Sequence, residues 1–185
     1  MKKVIVAAVK DDESCNKAIE SKSKIIFVLK GDICKIKEVV EKCQKAGKKV
    51  FLHIEMIDGF GKDEAAIKYI ATMIKPDGII TTKASLAKVA KNAGLAVVFR
   101  VFLIDSQSIQ TAIANANRCN PDYVEILPGL IPELMDEVGK NINVNIIAGG
   151  LISKKEHVIN AFKHNIVACS TSAIDLWNLE VEYEI

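Results

Sequence analysis

Ile146-Ile147-Ala148-Gly149-Gly150 and, next along the chain, Val167-Ala168-Cys169-Ser170-Thr171-Ser172 are the stretches that decide the fold. Each is a short apolar run that turns abruptly into glycines or hydroxyl residues. Such runs suit strands buried on both faces, as the strands of a parallel sheet are. With these two, eight runs recur, at residues 4–9, 25–29, 50–54, 78–80, 96–102, 123–127, 145–148 and 166–169. Their centres lie 19 to 28 residues apart. The segments between them have helical spacing: Ile33, Ile36, Val39, Val40 and Cys43; Ala66, Ile67, Ile70 and Ile74; Leu86, Val89, Ala90 and Ala93. Gly47 and Gly94 stand where helices end, as do Lys75-Pro76-Asp77 and Asn120-Pro121-Asp122. Asp32, Asp105 or Ser106, and Ser153 are candidate N-caps. Eight strands alternating with helices predict an α/β fold, a compact (β/α)8 TIM-type barrel in a single domain over residues 1–185. A doubly wound open sheet is the alternative. The helix after the sixth strand is the weakest, because Pro128 and Pro132 bracket its start.

Bulk properties agree. The chain has 185 residues, half of them hydrophobic, enough to bury a core. No apolar run reaches the roughly 18 residues a membrane span needs. Met1-Lys2-Lys3 ahead of the first run looks briefly like a signal peptide, but the run stops at Lys10-Asp11-Asp12-Glu13, too soon for a signal core. The five cysteines, at 15, 34, 43, 119 and 169, form no Cys-x-x-Cys pair and no metal-finger spacing. Free thiols in a reducing, cytoplasmic setting are expected. The net charge of +2 is unevenly spread. Residues 17–49 hold ten lysines against four acids, a local +6, so the remainder carries −4.

A parallel barrel delivers the last residues of every strand to one face, where sites are built. Those positions read Lys30, His53 with Glu55, Thr81-Thr82-Lys83, Arg100, Glu125, Gly149-Gly150 and Ser170-Thr171-Ser172. The last two ends suggest a phosphate site, since glycines let backbone N–H groups approach closely and hydroxyls add donors. A short helix opening after Ser172 would help. A tight Gly-Gly turn and an ordinary serine cap would explain the same residues. His53 and Glu55, two apart on a strand, share a face. With Glu125, Arg100 and Lys30 they could orient a polyol or phosphate, act as base and acid, supply one imidazole and two carboxylates to a metal, or form a purely structural ion-pair network. Ligand binding is the reading taken, with no cofactor and no metal. The loop at residues 56–63, with Gly59 and Gly61 around Phe60, is either a moving lid or a static turn. Trp177 is expected in packing, and His157 and His164 at the surface or in caps.

These same residues carry a family resemblance. Lys30-Gly31-Asp32-Ile33, the stretch from His53-Ile54-Glu55 to Lys62-Asp63-Glu64, and Lys75-Pro76-Asp77-Gly78-Ile79-Ile80-Thr81-Thr82 resemble the glycerol uptake operon antiterminator regulatory proteins. So do Arg100-Val101-Phe102-Leu103-Ile104-Asp105-Ser106, the stretch from Pro121-Asp122-Tyr123 to Leu127-Pro128-Gly129, Ile147-Ala148-Gly149-Gly150-Leu151-Ile152, and Ser170-Thr171-Ser172 with Leu176-Trp177. The likeness covers nearly the whole chain. It departs from the family pattern at Glu55, where Asp is expected, at Phe99 before Arg100, at Lys83-Ala84, and in the tail from Glu180 onward. The resemblance implies a barrel that is not an enzyme, senses glycerol 3-phosphate and acts on leader mRNA of glycerol-uptake genes by antitermination.

Lys30, His53, Glu55, Arg100, Glu125, Gly149, Gly150, Ser170 and Thr171 are therefore the expected ligand residues. Lys35, Lys37, Lys42 and Lys45, with Lys48 and Lys49 nearby, are the candidate RNA contacts. The whole chain has only two arginines and this segment only one aromatic, Phe27, so a solvated lysine-rich helix explains this run as well. The rival functional class is a phosphate-substrate enzyme, an isomerase or lyase using His53, Glu55 or Glu125.

Overall fold

The computed structural model describes residues 3–180; Met1, Lys2 and the tail beyond Glu180 lie outside the described residues. Eight parallel strands close into a barrel in chain order: β1 (Val4–Val9), β2 (Ile25–Val28), β3 (Lys49–His53), β4 (Gly78–Thr81), β5 (Ala96–Phe102), β6 (Tyr123–Leu127), β7 (Asn145–Ala148) and β8 (Ile166–Thr171), which pairs with β1. Seven helices follow the first seven strands: α1 (Asp12–Glu20), α2 (Ile36–Lys45), α3 (Glu64–Tyr69), α4 (Ala84–Asn92), α5 (Ser106–Cys119), α6 (Pro132–Gly139) and α7 (Lys155–Phe162). A short 3-10 turn, Ile174–Asn178, stands in the eighth place. The open-sheet alternative is thereby excluded. α6 forms with Pro132 in its first turn, where the missing N–H costs nothing.

Side chains alternate along each strand. Val6, Ala8, Phe27, Phe51, Ile80, Val98, Ile147 and Ala168 form one buried cluster, and a larger cluster joins strands to helices. Gly78 is required by close approach: a Cβ there would lie 2.4 Å from the Phe51 ring and from the Ala96 carbonyl oxygen. Helix ends follow local chemistry. Asp11 and Asp105 accept from the Ser14 and Ser108 N–H groups, each at 2.7 Å, opening α1 and α5. Asp32 bonds the Cys34 and Lys35 N–H groups, in the turn just ahead of α2. Ser153 is not a cap; Lys154 precedes α7, and the Ser153 N–H donates to His157 Nδ1 at 3.3 Å. No helix among the described residues is long and apolar enough to cross a membrane.

Two local departures from the sequence expectation bear on the site. β3 ends at His53, and Ile54–Met56 is a 3-10 turn, so Glu55 is not a strand residue. Period-two alternation stops at the last ladder bond, and the expectation carried it two residues too far. The loop at residues 56–63 is anchored: Ile57–Asp58 pairs with Gly31–Asp32, the Ile33 N–H donates to the Asp58 carbonyl at 2.9 Å, and Phe60 packs on Tyr69. These contacts tie the loop to the end of β2 and to α3.

Candidate functional site

The site is assembled where strand ends stop being apolar. Arg100 and Glu125 occupy paired positions on β5 and β6. Arg100 Nε donates to Glu125 Oε2 at 2.6 Å, and Ser170 Oγ donates to Glu125 Oε1 at 2.5 Å, all three residues buried. Both carboxylate oxygens are thus engaged, one of them by a guanidinium, which makes the bond charge-assisted. Gly149 lies directly over this network. A Cβ there would sit 2.5 Å from Glu125 Oε1 and 2.9 Å from Ser170 Oγ, so the position admits only glycine without displacement. The Gly149 N–H continues the sheet to the Ile126 carbonyl at 2.9 Å.

The β7 and β8 loops are tied together by Thr171. Its hydroxyl donates to the Ile152 carbonyl at 2.5 Å and accepts from the Ala173 N–H at 3.0 Å, while its carbonyl accepts the Trp177 indole N–H at 2.8 Å. Thus the side chains of Ser170 and Thr171 and the amide of Gly149 are committed within the protein. The N–H groups of Gly150, Leu151 and Ser172 donate to no protein acceptor among the described residues. Gly150 and Leu151 both adopt positive φ, 73° and 61°. Leu151 is a residue type that rarely does so, and such strain concentrates at functional loops.

A second cluster comes from β3 and β4. Glu55 Oε1 accepts the Thr81 hydroxyl and the Thr82 N–H, the latter at 3.2 Å. His53 Nδ1 approaches Glu55 Oε2 to 3.2 Å, a buried ion-pair contact that is out of hydrogen-bond alignment. Burial alone would raise the Glu55 pKa; the nearby His53 ring and the Thr81 hydroxyl outweigh it and hold the carboxyl below its usual range. Thr81 was visible in the sequence as a strand-end hydroxyl, but nothing there paired it with Glu55.

Lys30 does not join either cluster. It is exposed and lines a separate cleft of about 290 Å³ with Lys10, Asp11, Asp32, Lys35 and Asp58. A cleft of about 390 Å³ beside Arg100 is lined by Thr82, Phe102, Asp105, Ser108 and Asn115. Among the described residues, no three His, Cys, Asp or Glu side chains converge as a metal set. Lys35, Lys37, Lys42 and Lys45 are all exposed, at and along α2; Lys37 lies 4.0 Å from Glu41, and Lys42 bonds Asn16. Lys48 is buried instead, donating to the Ser21 and Ser23 carbonyls at 2.6 and 2.7 Å, and burial lowers its pKa. Phe27 is buried.

Comparison with known proteins agrees with this architecture. A family model described as glycerol-3-phosphate responsive antiterminator matches residues 5–177. An uncharacterized protein of Escherichia coli (strain K12), YgcP, is 38% identical over 175 residues, 95% of this chain and 92% of that protein. The crystal structure of a glycerol uptake operon antiterminator regulatory protein from Listeria monocytogenes superposes with a TM-score of 0.92 at 32% identity, covering 96% of each chain. A glycerol uptake operon antiterminator-related protein from Thermotoga maritima gives 0.86 at 32% identity, covering 97% of this chain and all of that one. Aldolase barrels also superpose, at 14% identity, which speaks to the fold alone.

Proposed function

This chain belongs to the glycerol-3-phosphate responsive antiterminator family, and on that premise we propose that it binds glycerol 3-phosphate at the barrel mouth and acts on leader mRNA. The observation that carries the ligand assignment is the buried contact of His53 Nδ1 with Glu55 Oε2, 3.2 Å apart and out of hydrogen-bond alignment. Buried polar atoms are almost always hydrogen-bonded, and a misaligned pair keeps unused bonding capacity. A polyol hydroxyl both donates and accepts, so it suits a ring nitrogen beside a carboxylate oxygen. The phosphate is assigned to the β7–β8 corner, on the N–H groups of Gly150, Leu151 and Ser172. Gly149, Ser170, Thr171, Arg100 and Glu125 hold that corner in shape. The enzyme alternative, with His53, Glu55 or Glu125 as base or acid, is less well supported: the family match is to a responsive antiterminator, and the aldolase barrels share only the fold at 14% identity.

Thermal unfolding with glycerol 3-phosphate, glycerol and inorganic phosphate tests the ligand. At 100 times Kd a native-state ligand adds about 2.7 kcal/mol. Glycerol 3-phosphate is expected to raise the melting temperature far more than glycerol does. No shift with any small phosphate would remove the assignment. For RNA, the expected phosphate-binding side chains are Lys35, Lys37, Lys42 and Lys45. Neutralising all four should lower the slope of log affinity against log salt by about 1 for each lysine that binds a phosphate. An unchanged slope returns them to a solvated helix face.

A further inference from the structure

We propose that the loops following β5, β6 and β7 form a self-association surface through which two copies of this chain dimerise. Ile104 is 84% exposed, Leu151 70% and Phe102 52%, and Leu130 and Ile131 are exposed beside them. Isolated exposed apolar residues are ordinary, but a contiguous set is not. These belong to adjacent strand ends and are joined by backbone bonds: the Leu103 N–H to the Leu127 carbonyl at 2.8 Å, and the Gly129 N–H to the Gly150 carbonyl at 3.1 Å. Leu151 is presented outward from a strained left-handed backbone, φ 61°, so the loop holds a large apolar side chain in solvent at an energetic cost.

Size and charge identify the occupant. The five residues expose on the order of 500 Å², towards the top of the about 300–600 Å² range for the largest patch on a monomer. A standard interface takes about 800 Å² from each partner, an apolar centre within a polar rim. The patch supplies the centre, and the loop backbone around it supplies the rim. Residues 102–105 and 128–131 contain no Lys or Arg, and 149–154 contain one, the exposed Lys154 at the start of α7. An RNA or an anionic lipid surface would therefore find a single cation there, where such surfaces are bound by several. Asp105 and Lys154 are the ionisable groups of these loops, opposite in sign, and the Asp105 carboxylate is occupied in capping α5. A second copy of the patch thus meets a nearly neutral apolar surface, which suits a two-fold contact. Leu151 also flanks the N–H groups assigned to phosphate. Resting on that reading, ligand and second copy act on one loop, and each alters the other's affinity reciprocally.

Sedimentation velocity on the full chain without ligand, from about 1 to 200 µM, a span chosen to bracket the micromolar-range affinities typical of modest interfaces, tests the surface. Wild type is expected to pass from monomer to dimer. Ile104→Glu and Leu151→Glu should each weaken the dimer at least about 10-fold, or about 1.4 kcal/mol. Their circular dichroism should stay native, because both side chains lie in solvent. Wild type that stays monomeric throughout, or a dimer that both substitutions leave unchanged, overturns the proposal. Repeating the series with saturating glycerol 3-phosphate tests the linkage separately. A dimer constant that moves supports it, and one that does not removes the linkage while the ligand-free result still decides the surface.

Discussion

Two buried clusters at the barrel mouth are built from the same parts and left in opposite states. Each is a glutamate between a nitrogen-bearing side chain and a hydroxyl: Arg100, Glu125 and Ser170 in one, His53, Glu55 and Thr81 in the other. In the first, both carboxylate oxygens are bonded. In the second, Glu55 Oε2 and His53 Nδ1 meet at 3.2 Å without an aligned hydrogen bond. Low dielectric raises the stakes in both cases: a satisfied network rigidifies its surroundings, and an open one costs stability until something fills it. On the proposed reading, the closed cluster carries barrel geometry and the open cluster recognition.

The largest effect should come from breaking the closed cluster. Glu125→Ala leaves the buried Arg100 guanidinium without its carboxylate and should cost about 3–5 kcal/mol in urea unfolding. A loss below about 1 kcal/mol, the worth of an exposed pair, would erase the distinction between the clusters. Gly149→Ala comes next, at about 1–3 kcal/mol, because the new methyl meets Glu125 Oε1 and Ser170 Oγ. Combined with Glu125→Ala the two losses should fall short of their sum, since they share a partner. Full additivity would mean that Gly149 is needed for some other reason.

The smallest effect separates the clusters by pH. The folded pKa of Glu55 is below its unfolded value, so its contribution is complete above about 4.3, the unfolded value. It is lost as pH falls through the lower folded pKa. The stability difference between wild type and Glu55→Gln should therefore shrink on acidification below that window. Asp136, also lowered by His164, is common to both proteins and cancels. A difference that stays constant down to about pH 3, below the unfolded value, would show that Glu55 is not held ionised by its neighbours.

The fold was legible because its signals are local. Apolar runs, the glycines at 47 and 94 with φ of 76° and 81°, and the Asp105 cap each declare themselves within a few residues. The change from apolar to polar at strand ends located the mouth for the same reason. What escaped depends on long-range packing. No periodicity reveals that Gly31–Asp32 would zip to Ile57–Asp58 and anchor the loop between β3 and α3. Nor does it show Lys48 turning inward to two carbonyls, or Lys30 lining a cleft apart from Arg100. Gly149 was noticed as a phosphate-loop glycine, yet its constraint is the carboxylate of Glu125 beneath it.

Calorimetric titration of glycerol 3-phosphate into wild type and His53→Ala, with urea unfolding of both, asks most directly whether the open cluster is the receptor. Wild type should bind, and the variant should bind at least about 10-fold more weakly, the worth of roughly one hydrogen bond to a charged or polar ligand group. Because His53 is buried and helps hold Glu55 ionised, the variant should also lose about 0.5–3 kcal/mol of unfolding stability, and the urea curves fix conditions in which both proteins are folded for the titration. Equal affinity in the two folded proteins would contradict the assignment of recognition to this cluster.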